Sequence, residues 1–414
     1  MGRILRLELK RVLKSGRSWA LLAAALLLTL LMAGLPVMYC YSSVDEQGQP
    51  ASLTGLASIA CEKTRQAAAA GTASPERVKA AAALYRACLE RYGVSQSYDL
   101  PEGVYEREIL PIAPLLHGVK EAFADPDTGI APSLMEIAPE KIDGFYAACE
   151  ARLASLMEME GNGDAAKAQA LSMYGRVEKP FEVYPGFSTA AMDFQNMAGF
   201  LVLLICACIA APVFSAGYQS GDDDILRCTR YGRGQLGAAR VIAVLLVSGC
   251  TAALCGAAYL LLSNSIFGWG GTKTSIQMAY SVVTLADWNL GQLQWAFVLA
   301  GVLSVLATAS LALLVSACCR STAVSLGAAL AFCLAPTVAF MALPEPLSLW
   351  LCSLLPSSGV CIQTSFLYAV TDFNFLQLGP LAVWTPYAMA GVCLVEIPLF
   401  SALAVRSYCR HKAK

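Results

Sequence analysis

The sequence predicts an all-α polytopic membrane protein with six transmembrane helices, an N-terminal interfacial helix and a mainly helical extracellular domain. Three observations carry this fold class. Apolar runs at 18–40, 196–217, 241–263, 295–317, 322–343 and 387–405 are each long enough to cross a bilayer. Composition agrees, with 57% hydrophobic and only 14% charged residues. The Lys and Arg outside residues 41–195 collect on alternate loops. A helix needs about 20 apolar residues to span roughly 30 Å of hydrocarbon. In lipid, only a helix or a closed barrel satisfies its own backbone.

Residues 1–17 come first. At about 100° per residue, Arg3, Arg6, Lys10, Lys14 and Arg17 share one helical face, and Leu5, Leu9, Val12 and Leu13 share another. Such a helix lies in the interface, apolar side in the acyl boundary and basic side toward anionic membrane lipids. Gly16 allows a bend into the first span. A cleaved signal peptide is the alternative reading of this start. Against it, the apolar run exceeds the usual ~7–15 residues and no small-x-small site closes it. Val37, Met38 and Tyr39 before Cys40 are too bulky for a lipoprotein signal.

Residues 41–195 are expected to form the extracellular domain. Ser74-Pro75-Glu76 reads as N-cap, N1 proline and acidic first turn, and that helix stops at Gly93. A second helix begins near Pro139-Glu140. Ile142, Phe145, Tyr146, Cys149, Leu153, Leu156 and Met157 recur in it at helical spacing. A third covers 165–174, with Asp164 as cap and Gly175 as stop. The Pro-rich stretch 100–139 is connecting structure with a short helix around 115–123. No strand-rich region and no internal repeat are visible.

Charge sets the expected orientation. Arg3, Arg6, Lys10, Arg11, Lys14 and Arg17 precede the first span. Arg227, Arg230, Arg233 and Arg240 follow the second, Arg320 the fourth, and Arg406, Arg410, Lys412 and Lys414 the sixth. Segment 264–294 holds only Lys273, and 344–386 holds no Lys or Arg. The positive-inside rule then places both termini, loop 218–240 and tail 406–414 in the cytoplasm. Residues 41–192 carry 13 Lys and Arg against 21 Asp and Glu. An acidic outer domain over a basic inner face gives no sign of nucleic-acid binding.

Catalytic signatures are missing. The chain has no G-x-x-x-x-G-K-[ST], no G-x-S-x-G and no H-E-x-x-H, so no catalytic residue and no bound cofactor are expected of it. His117 and His411 are the only histidines, which excludes a His-based metal site, and a zinc site is not expected. Most of the 16 cysteines lie in or beside spans, where Cys serves as a small apolar residue. Outside, a Cys61–Cys88 bridge is one pairing the sequence allows without fixing it. Glu396 sits mid-span, where an ionisable group points either to function or to a hydrogen bond with a neighbouring helix. Pro212, Pro336 and Pro398 predict bent or broken spans. Gly249, Ala253 and Gly256 permit close packing of the third.

Loop 218–240 is the most distinctive stretch. Ser220-Gly221 can cap a short helix. Asp222, Asp223 and Asp224 then oppose the positive end of its dipole, and Arg227 and Arg230 lie toward the negative end. The surrounding run is Pro212-Val213-Phe214-Ser215, Gly221, then Asp224-Ile225-Leu226-Arg227-Cys228-Thr229-Arg230-Tyr231-Gly232-Arg233, with Arg240 opening the next span. It resembles the permease subunit of ABC-2 type transporters, in the bacterial branch with a large extracellular domain between the first two spans. Glu178-Lys179-Pro180-Phe181 resembles the segment closing that domain. Gly217 departs from the acidic residue that the branch often carries there.

The resemblance implies a permease of the bacterial cytoplasmic membrane, paired with a second copy or homologue. It also implies docking to a separate ABC ATPase subunit, which would hold the ATP and Mg. The interfacial helix and residues Asp222, Asp223, Asp224, Arg227, Arg230, Tyr231 and Arg233 would form the coupling surface. Segment 344–386 would dip back into the bilayer as short helices. The substrate would be exported and would be a peptide, lipid-like or drug-like molecule. Two alternatives stand beside this reading: a membrane sensor or scaffold whose outer domain binds a peptide or antibiotic, and an ion-coupled carrier using Glu396.

Overall fold

The computed structural model describes residues 2–229 and 232–411, with the Asp224 side chain also outside the described set. Helix α1 (Gly2–Lys14) lies ahead of six helices long and apolar enough to cross a membrane. They run Gly16–Tyr39, Thr189–Ser220, Gly234–Phe267, Leu290–Cys318, Thr322–Ala342 and Thr385–Arg410. The protein is thus a mainly α-helical, multi-pass membrane protein. The first span is α2 (Gly16–Gly34) extended by one 3-10 turn.

The outer domain follows. Antiparallel strands β1 (Tyr41–Val44) and β2 (Pro50–Thr54) precede α3 (Leu56–Gln66). Strand β3 (Gly71–Thr72) leads into α4 (Pro75–Tyr92), which starts and stops where expected. Ser74 accepts from Arg77 N, and Gly93 adopts φ 65° at the end. Two single turns, α5 (Ala113–Leu116) and α6 (Val119–Ala122), fill the Pro-rich stretch. The second expected helix begins as a 3-10 turn at Pro139 and continues as α7 (Phe145–Met159). Helix α8 (Asp164–Tyr174) differs slightly from expectation. Gly163 holds the cap position, Asp164 is the first helical residue, and Gly175 keeps φ −62°.

Strand β4 (Glu182–Val183) pairs with β3. These short ribbons escape a reading of periodicity because two to five residues hold too few alternations. The domain core is α7, whose Phe145, Cys149, Leu153 and Met157 are all 0% exposed. Tyr146 O–H donates to Ala73 O (2.6 Å) and accepts from Phe181 N (3.0 Å), tying α7 to both edges of the β3–β4 ribbon. The Cys61–Cys88 bridge does not form. Cys61 Sγ turns to Val44 O (3.4 Å), and both thiols are buried in the core, where burial pushes their pKa up. Burial pushes the Cys149 thiol up to about 12.

The second span is α9 (Thr189–Ala210) followed by α10 (Pro212–Ser220). Pro212 starts a new helix and lacks an N–H. The unpaired amides of its first turn, Phe214 N and Ser215 N, both donate to Ser316 Oγ at 3.0 and 3.1 Å. A side chain from a neighbouring helix thus repairs the break. Helix α11 (Asp222–Arg227) leads to the third span, α12 (Gly234–Phe267). Helices α13 (Leu290–Cys318) and α14 (Thr322–Ala342) form the fourth and fifth. Segment 344–386 holds α15 (Leu347–Leu354), α16 (Phe366–Thr371) and a hairpin of β5 (Phe375–Leu378) and β6 (Leu381–Trp384). The hairpin was not expected there. Helix α17 (Thr385–Arg410) ends the described chain.

Spans α9 and α13 start several residues before the apolar runs at 196 and 295. Their starts are capped by polar side chains: Ser188 accepts from Ala191 N, and Asn289 with Gln292 forms a capping box. Helix α13 is the axis of the bundle, packed against α9, α12, α14 and α17. A Cβ at Gly256 would stand 2.7 Å from Val298 Cγ1, so α12 and α13 approach as closely as the small residues allow. Asn264 and Gln294 exchange amide hydrogen bonds at 3.0 and 3.1 Å between the same two helices. Pro336 and Pro398 sit inside α14 and α17 without ending them.

The outer domain docks on the loop before α13. Tyr174 O–H donates to Val282 O (2.8 Å), and Glu121 Oε2 accepts from Val282 N (3.1 Å). Gly118 is in the left-handed region (φ +76°), and a Cβ there would lie 2.0 Å from Val282 Cγ1. Only glycine fits this approach.

Candidate functional site

The chain's most concentrated buried charge lies at the end of the bundle that carries both termini. Helix α10 ends at Gly221, whose φ of +80° turns the chain directly into α11. That turn drops Asp223 into the bundle. Asp223 and Arg240 are each 1% exposed. Arg240 Nη1 donates to Asp223 Oδ2 (3.0 Å), and Nη2 lies 2.8 Å from Oδ1. On its other side, Arg240 Nε is 3.8 Å from Glu8 Oε2 of α1. The guanidinium also lies over the rings of Tyr408 (5.5 Å) and Phe214 (5.8 Å). One planar cation therefore joins α1, α11, α12, α10 and α17.

Arg227 completes the cluster. Its Nη2 donates to Tyr408 O (2.8 Å) and Cys409 O (3.3 Å), two carbonyls at the C-terminal end of α17. Tyr408, 0% exposed, sends its O–H to Gly232 O (3.3 Å). The Tyr218 ring stacks on His411 at 3.9 Å. Gly217 also finds its reason here. A Cβ at that position would stand 2.7 Å from the Asp223 carboxylate. An acidic side chain at 217 would collide with the carboxylate that the sequence places six residues later.

The expected coupling residues therefore divide. Asp223 and Arg227 are buried inside this chain, where they meet Arg240 and the last carbonyls of α17. Asp222 and Arg233 stay exposed, with Ile225 (75%) and Leu226 (39%) beside them. Ser220 O–H donates to Asp222 Oδ2 (2.8 Å) and Gly221 holds the cap position of α11, with Asp222 as its first residue. Arg230 and Tyr231 lie outside the described residues, and the Asp224 side chain is likewise not described.

On α1, Arg3, Arg6, Lys10 and Lys14 are exposed, as is Arg17 at the start of α2. The apolar side is more divided than expected. Ile4, Leu5, Leu9 and Val12 are half-buried, whereas Leu7 (65%) and Leu13 (40%) are exposed. Helix α1 packs along α12 with Glu8 directed to Arg240, so one face of it is protein contact.

Glu396 is not brought to this cluster. It lies 12 residues before Tyr408 on α17, about 18 Å along a helix. It is half-buried, its Oε2 has no hydrogen-bond partner, and Leu394 (60%) and Val395 (64%) beside it are exposed. Among the described residues, no group of three or more His, Cys, Asp or Glu is placed to hold a metal ion.

Sequence reasoning missed the pairing of Asp223 with Arg240 and the part played by Glu8. Two signals were present. Glu8 is the one acid in a basic leader, and Arg240 opens a span where a charge is costly. Buried opposite charges cannot separate cheaply, so the Asp223–Arg240 pair holds α11 to α12. No protein-family model and no curated protein matches this chain.

Proposed function

We propose that this chain is the membrane subunit of a two-part, ATP-driven transporter of the ABC-2 kind. It sits in the bacterial cell membrane with both termini in the cytoplasm, pairs with a second copy or homologue, and moves a substrate outward. A separate ABC ATPase subunit holds the ATP and Mg. The observation that carries the reading is the mounting of α11. An exposed surface of Asp222, Ile225, Leu226 and Arg233 stands on a buried ion pair that reaches into three other helices. That is the construction expected of a lever receiving force from a soluble motor. The loop resemblance and the order of elements support it, and the charge asymmetry of the loops supports the orientation.

The test replaces the exposed surface and spares the buried pair. Ile225→Asp with Arg233→Ala is expected to lower ATPase capture and coupled hydrolysis by about tenfold or more, as loss of a central apolar contact does at a small interface. Unchanged capture and hydrolysis in a properly inserted variant would remove α11 from the coupling surface. The partnerless Oε2 of Glu396 favours a second reading, an ion-coupled carrier. Transport driven by a proton gradient without any ATPase would select it.

A further inference from the structure

Segment 344–386 carries only two charged side chains, Glu345 and Asp372, and both line one cavity of about 130 Å³. A second cavity of about 510 Å³ shares Glu345, Leu349 and Asn374 with the first, and adds Glu160 from the α7–α8 turn. No Lys or Arg lines either. Three carboxylates thus line this pair of adjoining cavities, a hollow between the outer domain and the hairpin side of the bundle. A second feature points to a missing ligand. Thr385, 1% exposed, lines the smaller cavity, and its Oγ1 has no hydrogen-bond partner.

The carboxylates sense one another. Burial raises the pKa of Glu160, and the charges of Asp372 and Glu345 raise it further. Asp372 is reachable by water from the cavity mouth, yet the protein crowded around it pushes its carboxyl up to about 6. Arg152 offsets part of this repulsion but lines neither cavity, and like charges so gathered cost energy unless something positive joins them. A single metal ion does not suit the site, because no three acidic or His/Cys side chains among the described residues converge on one point. The acids are spread along the hollow, which suits a ligand whose own charges are spread.

We propose that this hollow binds an organic cation carrying two or more ammonium or guanidinium groups. The ammonium groups pair with Glu160, Glu345 and Asp372, and the Thr385 hydroxyl accepts a hydrogen bond from the ligand. Amine-bearing peptides and free polyamines share this chemistry. The site belongs to this chain alone and does not depend on an ATPase partner.

The test uses the full-length chain in nanodiscs of neutral phosphatidylcholine, which keeps the basic α1 helix from recruiting anionic lipid. Calorimetric titrations with spermine, trilysine, fully acetylated trilysine and calcium separate the sources. Spermine or trilysine is expected to bind, and acetylated trilysine is not. Asp372→Asn with Glu345→Gln is expected to weaken binding by about tenfold or more, the size of a lost charged contact. Glu90→Gln, on the exposed face of α4, is expected to change nothing. Asp372→Glu is expected to keep binding that Asp372→Asn loses, which separates a missing charge from a damaged fold.

Wild-type affinity is expected to fall as the pH drops through about 6, where Asp372 gains its proton. The charged and titratable groups around Asp372 are Glu160, Glu345 and Arg152, with Asp193 acting through Tyr368. Asp372→Asn is expected to flatten the profile there. Equal binding by wild type and the double variant, binding of calcium alone, or no binding of either polyamine or peptide would each overturn the proposal.

Discussion

At the scale of residues, the Asp223–Arg240 pair is the most consequential contact in the chain. Both partners are 1% exposed, so removing one leaves the other buried and unpaired. Asp223→Asn or Arg240→Met is expected to cost about 3–5 kcal/mol, whereas Asp223→Leu with Arg240→Met recovers much of that loss. Thermal unfolding in detergent reads both effects, and single variants that melt like the wild type would show that the pair contributes little. The Glu8 contact is longer, at 3.8 Å, and nearer the surface. Glu8→Gln is expected to cost no more than about 1 kcal/mol. The sequence could not reveal this pairing, because it depends on the Gly221 turn. With helical phase carried through that turn, Asp223 reads as a surface residue of a capped helix. Only the left-handed φ at 221 redirects it into the bundle.

At the scale of elements, legibility follows the length and periodicity of each segment. The spans were visible because some 20 apolar residues in a row have one explanation, and α4 because Ser74, Pro75 and Gly93 punctuate it. The polar, capped starts of α9 and α13 were not visible to hydropathy. The β5–β6 hairpin is two four-residue apolar strands around Gly379-Pro380, too short to tell from the expected re-entrant helices. Helix α1 was read as amphipathic, but sequence gave no means of dividing its apolar side between lipid and protein. Its exposed cations carry a prediction of their own. Lys10→Glu with Lys14→Glu is expected to lower affinity for anionic lipid, each basic residue contributing about 1 kcal/mol at the surface. Counting phosphatidylglycerol that co-purifies with the protein measures this, and unchanged retention would place those side chains away from the bilayer. Between domain and bundle, Gly118→Val forces a β-branched residue to a φ of +76° against Val282. A cost of about 1–3 kcal/mol is expected, seen as faster proteolysis of the outer domain.

At the scale of the whole molecule, the outer domain, the bundle and the terminal-end charge cluster form one mechanical chain. The domain is held to the loop before α13 by Glu121, Tyr174 and the Gly118 approach. Helix α13 is the axis against which α9, α12, α14 and α17 pack. At the far end, Arg240 ties α12 to α1 and α11. The architecture was legible in the order of elements, but the acidic hollow was not: it draws on Glu160, Glu345 and Asp372, and the outermost two are more than 200 residues apart. The measurement that tests the central claim most directly is stoichiometric purification of the tagged chain from its native cells in mild detergent. Mass spectrometry and an ATP-hydrolysis assay then identify what comes with it. The account predicts a Walker-type ATPase in near one-to-one ratio with the chain and measurable hydrolysis. Intact, folded protein recovered repeatedly without any ATPase would contradict it.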